Sequence, residues 1–292
     1  MKDLAIIALV LFIACTANMA AQTVCFDQAE IPPGTILHIY DSSVTIPPGE
    51  LSSRLSAVGG MKQTGSVEER TERWTELSHD GIRELSVSWS RYEQCLPGFI
   101  PDSLRTMPVL GACYSVRRYP EADTTMSRCD SSALVLPGER WLVNDFRKPD
   151  YPEILFRIFS GVCLDEAGMP QIQERVKRLL ELYHAAGDVR MTDSISNVFV
   201  EWMPLQPDGT SHVTIAYRLT RDGAISGAQY TSDVATTLEA DLEVETAHAR
   251  DIKFSMVSNS RGHLNGQRTV ENIVLRRETH TRVTWLIPEK AE

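Results

Sequence analysis

The chain contains no internal apolar run near the roughly 20 residues that a helix needs to cross a bilayer, and no dense basic segment beyond Arg117-Arg118 and Arg276-Arg277. The first absence excludes a helical membrane protein. The second, with 29 Lys+Arg against 39 Asp+Glu and a net charge of −10, excludes a nucleic-acid partner, because phosphate contacts need clustered cations. Catalytic signatures are missing as well: there is no Gly-x-Ser-x-Gly elbow, P-loop, dinucleotide glycine fingerprint, His-Glu-x-x-His, Ser-x-x-Lys or EF-hand loop. No Cys-x-x-Cys occurs, and none of the seven histidines falls at metal-ligand spacing with a Cys or acidic partner. These absences predict no catalytic residues, no metal, no cofactor and no enzyme. With 42% hydrophobic residues and ordinary Gly (17) and Pro (15), a disordered chain is excluded too.

What the chain does have begins at its N-terminus. Lys2 precedes an unbroken apolar run of 11 residues at 4–14, the length of a signal-peptide core and too short to span a membrane. Two processing sites are open. Phe12-Ile13-Ala14-Cys15 resembles the lipobox of bacterial lipoproteins, which would end the leader at residue 14 and put a lipid on Cys15. Ordinary cleavage near Ala20 or Ala21 would make the leader 1–21. Either route predicts an exported protein of the periplasm, the outer membrane or the exterior, touching a membrane only through a lipid on Cys15.

Five cysteines follow the leader: Cys25, Cys95, Cys113, Cys129 and Cys163. An oxidising compartment favours pairing, and Cys113 and Cys129 flank a hairpin pattern at 114–118 and 126–128, so a Cys113–Cys129 disulfide is expected. The odd count leaves one thiol over.

Most of the chain reads as strands punctuated by turn chemistry. A short apolar run at 36–40 precedes a predicted short helix at 50–58. Runs at 67–77 and 83–92 flank Ser78-His79-Asp80-Gly81, a hairpin with an Asp-Gly turn. The turn accounts for Asp80 without a catalytic role for the adjacent His79. Short runs at 133–136 and 141–143 follow a Pro-containing connector at 97–108. Residues 154–159 fit either a buried strand or a helix. The clear helix is at 170–186, where Ile172, Val176, Leu179, Leu180 and Tyr183 share one face and Gly187 ends it.

After it come alternating strands at 198–203, 213–219, 238–245 and 252–256, then runs at 270–276 and 281–287. Asp222-Gly223 reads as a turn. One apolar and one polar face per strand is what an antiparallel meander with a solvated side requires. The fold class expected is mainly β (α+β): an antiparallel, half-barrel-like meander packed around the helix at about 170–186. Residues 22–292 are expected to form one domain, its two halves meeting near 165–190, since a chain of this size buries about 75% of its unfolded surface.

The stripe Glu239, Asp241, Glu243, Glu245 puts four carboxylates on one strand face. It lacks the Gly turn and backbone oxygens of a calcium loop and fits a solvated face that discourages edge pairing. Trp202, Tyr217 and Trp285 read as sheet core.

Two resemblances arise from these strands. Residues 213–232, a strand, Asp-Gly and a second strand, resemble part of the TonB C-terminal domain, which implies a helix at 234–249 and a protein-interaction role. The succession at 66–92, Leu136-Pro-Gly-Glu-Arg-Trp141, 237–246, 250–258 and a final strand ending at Ile287 resembles exported bacterial β-sheet proteins and the half-barrel of outer-membrane lipoprotein carriers. That likeness implies a concave apolar face for an acyl chain or another hydrophobe. The functional expectation is a non-enzymatic envelope protein with a lipid, other hydrophobe or envelope protein as partner; a TonB-like interaction module and a hydrolase are the alternatives.

Overall fold

The computed structural model describes residues 23–28, 31–46, 64–78, 81–95, 113–117, 125–129, 150–185, 191–225, 228–264 and 268–288. Cys15 and the predicted segments at 50–58, 97–108, 133–136 and 141–143 lie outside them, as do His79 and Asp80.

In chain order the elements are β1 (Val24–Cys25), β2 (Ile36–Ile46), β3 (Thr64–Ser78), β4 (Gly81–Cys95), β5 (Cys113–Arg117), β6 (Thr125–Arg128), α1 (Tyr151–Phe159), β7 (Cys163–Leu164), α2 (Met169–Ala185), β8 (Met191–Trp202), β9 (Thr210–Ile225), β10 (Ala228–Glu243), β11 (Ala249–Leu264) and β12 (Arg268–Leu286). Ten strands form one open sheet in the order β6-β5-β4-β3-β2-β12-β11-β10-β9-β8. Every neighbouring pair is antiparallel. The fold is thus a half-barrel-like antiparallel meander with helices. It is two meanders, β2–β6 and β8–β12, sewn together where β2 pairs with β12.

Alternation in each strand separates an inner from an outer face. Leu37 and Ile39, Leu85, Val87 and Trp89, Val213, Ile215, Tyr217 and Leu219, and Leu238, Ala240 and Leu242 are all buried on the inner face. In β8 the alternation breaks at Asn197, whose φ of 53° lies in the left-handed region. The register with β9 shifts between Ser196 and Phe199. This bulge changes the phase, so Ile195 and Val200 are both buried while Phe199 stays 50% exposed.

The crossover from β6 to β8 carries the helices across the inner face. Helix α1 settles the ambiguity at 154–159 in favour of helix. Pro152 sits in its first turn, Arg157 in its last, and Ile154, Leu155, Ile158 and Phe159 are buried. Its Tyr151 packs on Phe254 of β11 with ring centroids 5.0 Å apart. Helix α2 buries Ile172, Val176 and Leu180. The small β1–β7 ladder lies between them and carries a disulfide, Cys25–Cys163, which joins positions 138 residues apart. A second disulfide joins Cys113 and Cys129 across the β5–β6 hairpin.

Three sequence expectations are corrected. Asp222-Gly223 is not a turn: both residues lie inside β9, paired with Thr192 and Met191 on one side and Thr231 and Tyr230 on the other. Hydrogen bonding on both edges outweighs the local turn preference of an Asp-Gly pair. The runs at 270–276 and 281–287 are one strand, β12. The polar residues between them, Arg277 to His280, pair with β2 and β11 on both sides, and no Gly or Pro interrupts them. The helix that the TonB likeness implies at 234–249 is also absent, because β10 is strand through Glu243 with neighbours on both sides.

Candidate functional site

The inner face beneath α1 is where the alternation rule for hydrophobic residues fails. In β3, Glu68, Arg70, Glu72 and Trp74 share a phase and all point inward. Glu72 is 1% exposed and Trp74 fully buried. Arg70 donates from Nε to Glu72 Oε1 at 2.8 Å and from Nη2 to Asp150 Oδ2 at 2.6 Å. Its Nη1 pairs with Glu68 and lies 4.0 Å from Asp41. Asp41, on β2, accepts a hydrogen bond from the Thr281 hydroxyl of β12 at 2.9 Å. Trp74 Nε1 donates to Glu72 Oε2 at 3.2 Å.

One guanidinium therefore serves four carboxylates, and burial sets their protonation. Burial disfavours the charge on Arg70, but Asp150, Glu68, Glu72 and Asp41 more than offset it and hold its pKa well above the ordinary value. Burial and the neighbouring Asp150 carboxylate push Glu72 up to about 8, with the charge of Arg70 pulling the other way. Asp41 is raised for the same first reason, burial, against the pull of Arg70. At neutral pH Glu72 keeps its proton and hydrogen-bonds Asp150, as two crowded carboxyls require. Asp150 is the N-cap residue of α1, yet its side chain makes no capping bond to the helix. Its carboxylate is committed to the sheet instead, and so ties the start of the helix to β3.

From Trp74 a row of rings runs to the other end of α1. Trp74 meets Trp285 of β12 edge-on, with centroids 5.3 Å apart. Trp285 stacks on His248 at 4.1 Å with the planes 4° from parallel, and His248 faces Phe156 of α1 at 5.8 Å. Trp285 Nε1 donates to the Ala249 carbonyl at 2.8 Å, which fixes the indole.

His248 is presented by a tight turn between β10 and β11. The Ala247 amide donates to the Glu243 carbonyl at 2.8 Å and the Thr246 hydroxyl to Glu243 Oε2 at 2.8 Å. The Glu243 amide closes the turn on the His248 carbonyl at 3.0 Å. Ala247, fully buried, adopts φ 55°, a left-handed conformation that costs an alanine roughly 1–2 kcal/mol. His248 itself is 3% exposed, and its buried Nε2 has no hydrogen-bond partner in the protein. Such an orphan costs about 1–3 kcal/mol. Burial lowers the His248 pKa to about 4, against the opposing charge of Glu243, so the ring is neutral at pH 7.

Of the residues singled out in the sequence, Trp285 and Glu243 belong to this constellation. Tyr217 is buried in the sheet core and Trp202 is half-buried beside it. Of the acidic stripe, Asp241 pairs with His212 Nδ1 at 2.7 Å and Glu243 accepts from Arg250 at 2.6 Å. Among the described residues, no three His, Cys, Asp or Glu side chains are placed to hold a metal ion. The outer face carries its own cleft of about 390 Å³ across β10, β11, β12 and β2. Short Thr237, Ser255 and Ser42 form its floor between the longer Glu239, Lys253 and Glu278. Arg70, Glu72, Asp41, Asp150 and His248 were missed by sequence reasoning. The one signal was the in-phase spacing of Arg70, Glu72 and Trp74.

No family model and no curated protein matches the chain. Among solved structures it is similar to one of lipovitellin, titled for lipid–protein interactions, at 9% identity and a TM-score of 0.33, covering 90% of this chain and 26% of that one. The chain thus spans about a quarter of the lipovitellin chain it matches. It is also similar to an outer membrane channel from Pseudomonas putida F1, at 10% identity and a TM-score of 0.17, covering 88% of this chain and 98% of that one. Neither likeness is close enough to fix a relationship.

Proposed function

We propose that this chain is a non-catalytic, extracytoplasmic binding protein that takes a hydrophobic ligand between helix α1 and the inner face of the sheet. The observation that carries the reading is a buried aromatic floor that holds one polar atom, Nε2 of His248, with no hydrogen-bond partner in the protein. The floor beneath α1 is built of Trp74, Trp285, Phe254 and Leu37, and large apolar and aromatic side chains around a few polar groups are what a small-molecule site consists of. Helix α1 is tied to the sheet by Asp150 at its start, and its Tyr151 and Phe156 rings meet Phe254 and His248. The two disulfides favour an oxidising compartment.

The test is to purify the full chain, strip it of lipid and titrate it with N-phenylnaphthylamine and with alcohols and acids of 8 to 16 carbons. The expected result is fluorescence enhancement and a rise in Tm, equivalent to about 2.7 kcal/mol at 100 times the Kd. No enhancement, no rise in Tm and no retained mass in native mass spectrometry would remove this reading.

A second reading, an interaction module, is favoured by one feature. Phe199, Met203 and Leu205 are each half-exposed beside β8, the last strand of the open sheet. An edge strand of that kind can accept a partner's strand. Loss of a co-purifying envelope protein on Phe199→Asp, with ligand binding intact, would favour it.

A further inference from the structure

We propose that Nε2 of His248 is the hydrogen-bond anchor for the hydroxyl of a hydrophobic alcohol lodged between α1 and the inner face. The inference rests on the reading of the site given above and names the ligand class. Three observations meet at this residue. Its Nε2 is buried without a partner, although buried polar atoms are almost always paired. The ring cannot swing to find a partner elsewhere, because it lies flat on Trp285 at 4.1 Å and Trp285 is itself bonded to Ala249. The residue before it, Ala247, is held with positive φ by the Glu243 turn, and strain of this kind persists where the surroundings impose it and clusters at functional sites. A strained alanine and an orphaned nitrogen in successive positions are two violations of ordinary packing at one point. A ligand group that completes Nε2 gives both a purpose.

The chemistry selects the head group. A hydroxyl both donates and accepts, so it satisfies Nε2 in either tautomer of the neutral ring. A carboxylate would meet Glu243 beside the ring and Asp41, Glu68 and Asp150 further along the same face. An ammonium would be drawn to those carboxylates and away from the imidazole. Phe156, only partly buried and 5.8 Å from the imidazole, is the side from which the hydroxyl arrives.

The experiment compares the full wild-type chain with His248→Phe, which keeps the ring stack and removes the nitrogen. Binding of 1-octanol, octanoate, octylamine and 1-chlorooctane is measured by calorimetry at pH 7. The wild type is expected to bind octanol at least tenfold tighter than octanoate or octylamine. His248→Phe is expected to lose at least tenfold for octanol, to stay within twofold for chlorooctane, and to show a higher Tm without ligand. Equal octanol affinity in the two proteins overturns the anchor while leaving the binding-protein reading in place; so does octanoate or octylamine binding as tightly as octanol. If no probe binds the wild type, the site reading fails and the anchor with it. Should the variant not fold, the ¹⁵N resonance of His248 Nε2 in the wild type decides: a shift on adding octanol, absent with chlorooctane, supports the anchor, and an unmoved resonance overturns it.

Discussion

The two meanders solve the same burial problem with different chemistry. In β8–β12 the inner face is aliphatic through Val213, Ile215, Leu238, Leu242 and Ile252, and an ion pair such as Arg218–Asp233 sits outside in solvent, bidentate at 2.6 and 2.5 Å. In β2–β4 the inner face places an arginine and its carboxylates beside Trp74 and under α1. The first rests on apolar packing, with the pair Arg221–Asp193, at 2.8 and 2.7 Å, in the inward phase at its far end. The second depends on who keeps the proton on Glu72, so the two sides of the β2–β12 seam respond to pH in opposite senses, through Glu72 on one and His248 on the other.

Breaking the ionic side gives the largest expected effect. Arg70→Met leaves four carboxyl groups around no cation, and stripping one partner from a buried ion cluster costs about 3–5 kcal/mol. Urea unfolding at pH 7 measures it; a loss under about 1 kcal/mol would mean that water reaches the cluster freely. On the aliphatic side, Leu238→Ala should cost roughly 2–5 kcal/mol. Its distinguishing mark is that the loss is the same at pH 5 and pH 8, whereas the loss for Arg70→Met changes between them.

The comparison sharpens with pH alone. Glu72 has a folded pKa of about 8, raised from 4.5, so the folded chain holds a proton that the unfolded chain releases. Its contribution is complete at acid pH and fades as pH rises from about 4.5 through about 8. His248, lowered from 6.5 to about 4, acts oppositely: its contribution is present above 6.5 and is lost as pH falls towards 4. Wild-type Tm should therefore change little between pH 5 and 6.5, where the two slopes oppose, and decline from 6.5 to 8. Glu72→Gln should abolish that decline and His248→Phe should remove the acid-side loss; a Glu72→Gln profile that still falls from 6.5 to 8 would point to another group. Smallest of all, Arg218→Ala should leave the thermal midpoint unchanged within error, since its pair with Asp233 is solvated.

The same contrast decided what could be read from the sequence. Strands β9–β11 were legible because Val213, Ile215, Tyr217 and Leu219 alternate without exception, and α2 because Ile172, Val176 and Leu180 repeat with helical spacing. The ionic site was illegible for a physical reason. Glu68, Arg70 and Glu72 spell a solvated strand face, and only Asp150, 80 residues beyond Arg70, turns them into an interior. His248 carries no pattern at all: a turn and a partner ring 37 residues away in the sequence make it notable. Strand ends were misjudged where long-range pairing overrode local preference, at Asp222-Gly223 and across Arg277 to His280.

The pairing of β2 with β12 bears on how the chain reaches this state. Thr281 faces Asp41 across that seam, so strands more than 200 residues apart must find each other before either meander has both neighbours. Closing so long a loop is slow, and slower still for a sheet whose contacts are mostly remote in sequence. Until β12 arrives, β2 and β11 each present a bare edge to any other strand in reach. The seam is therefore also the clock: the step that joins the two meanders is the one that removes the bare edges inside the sheet and leaves only β6 and β8 at its rims.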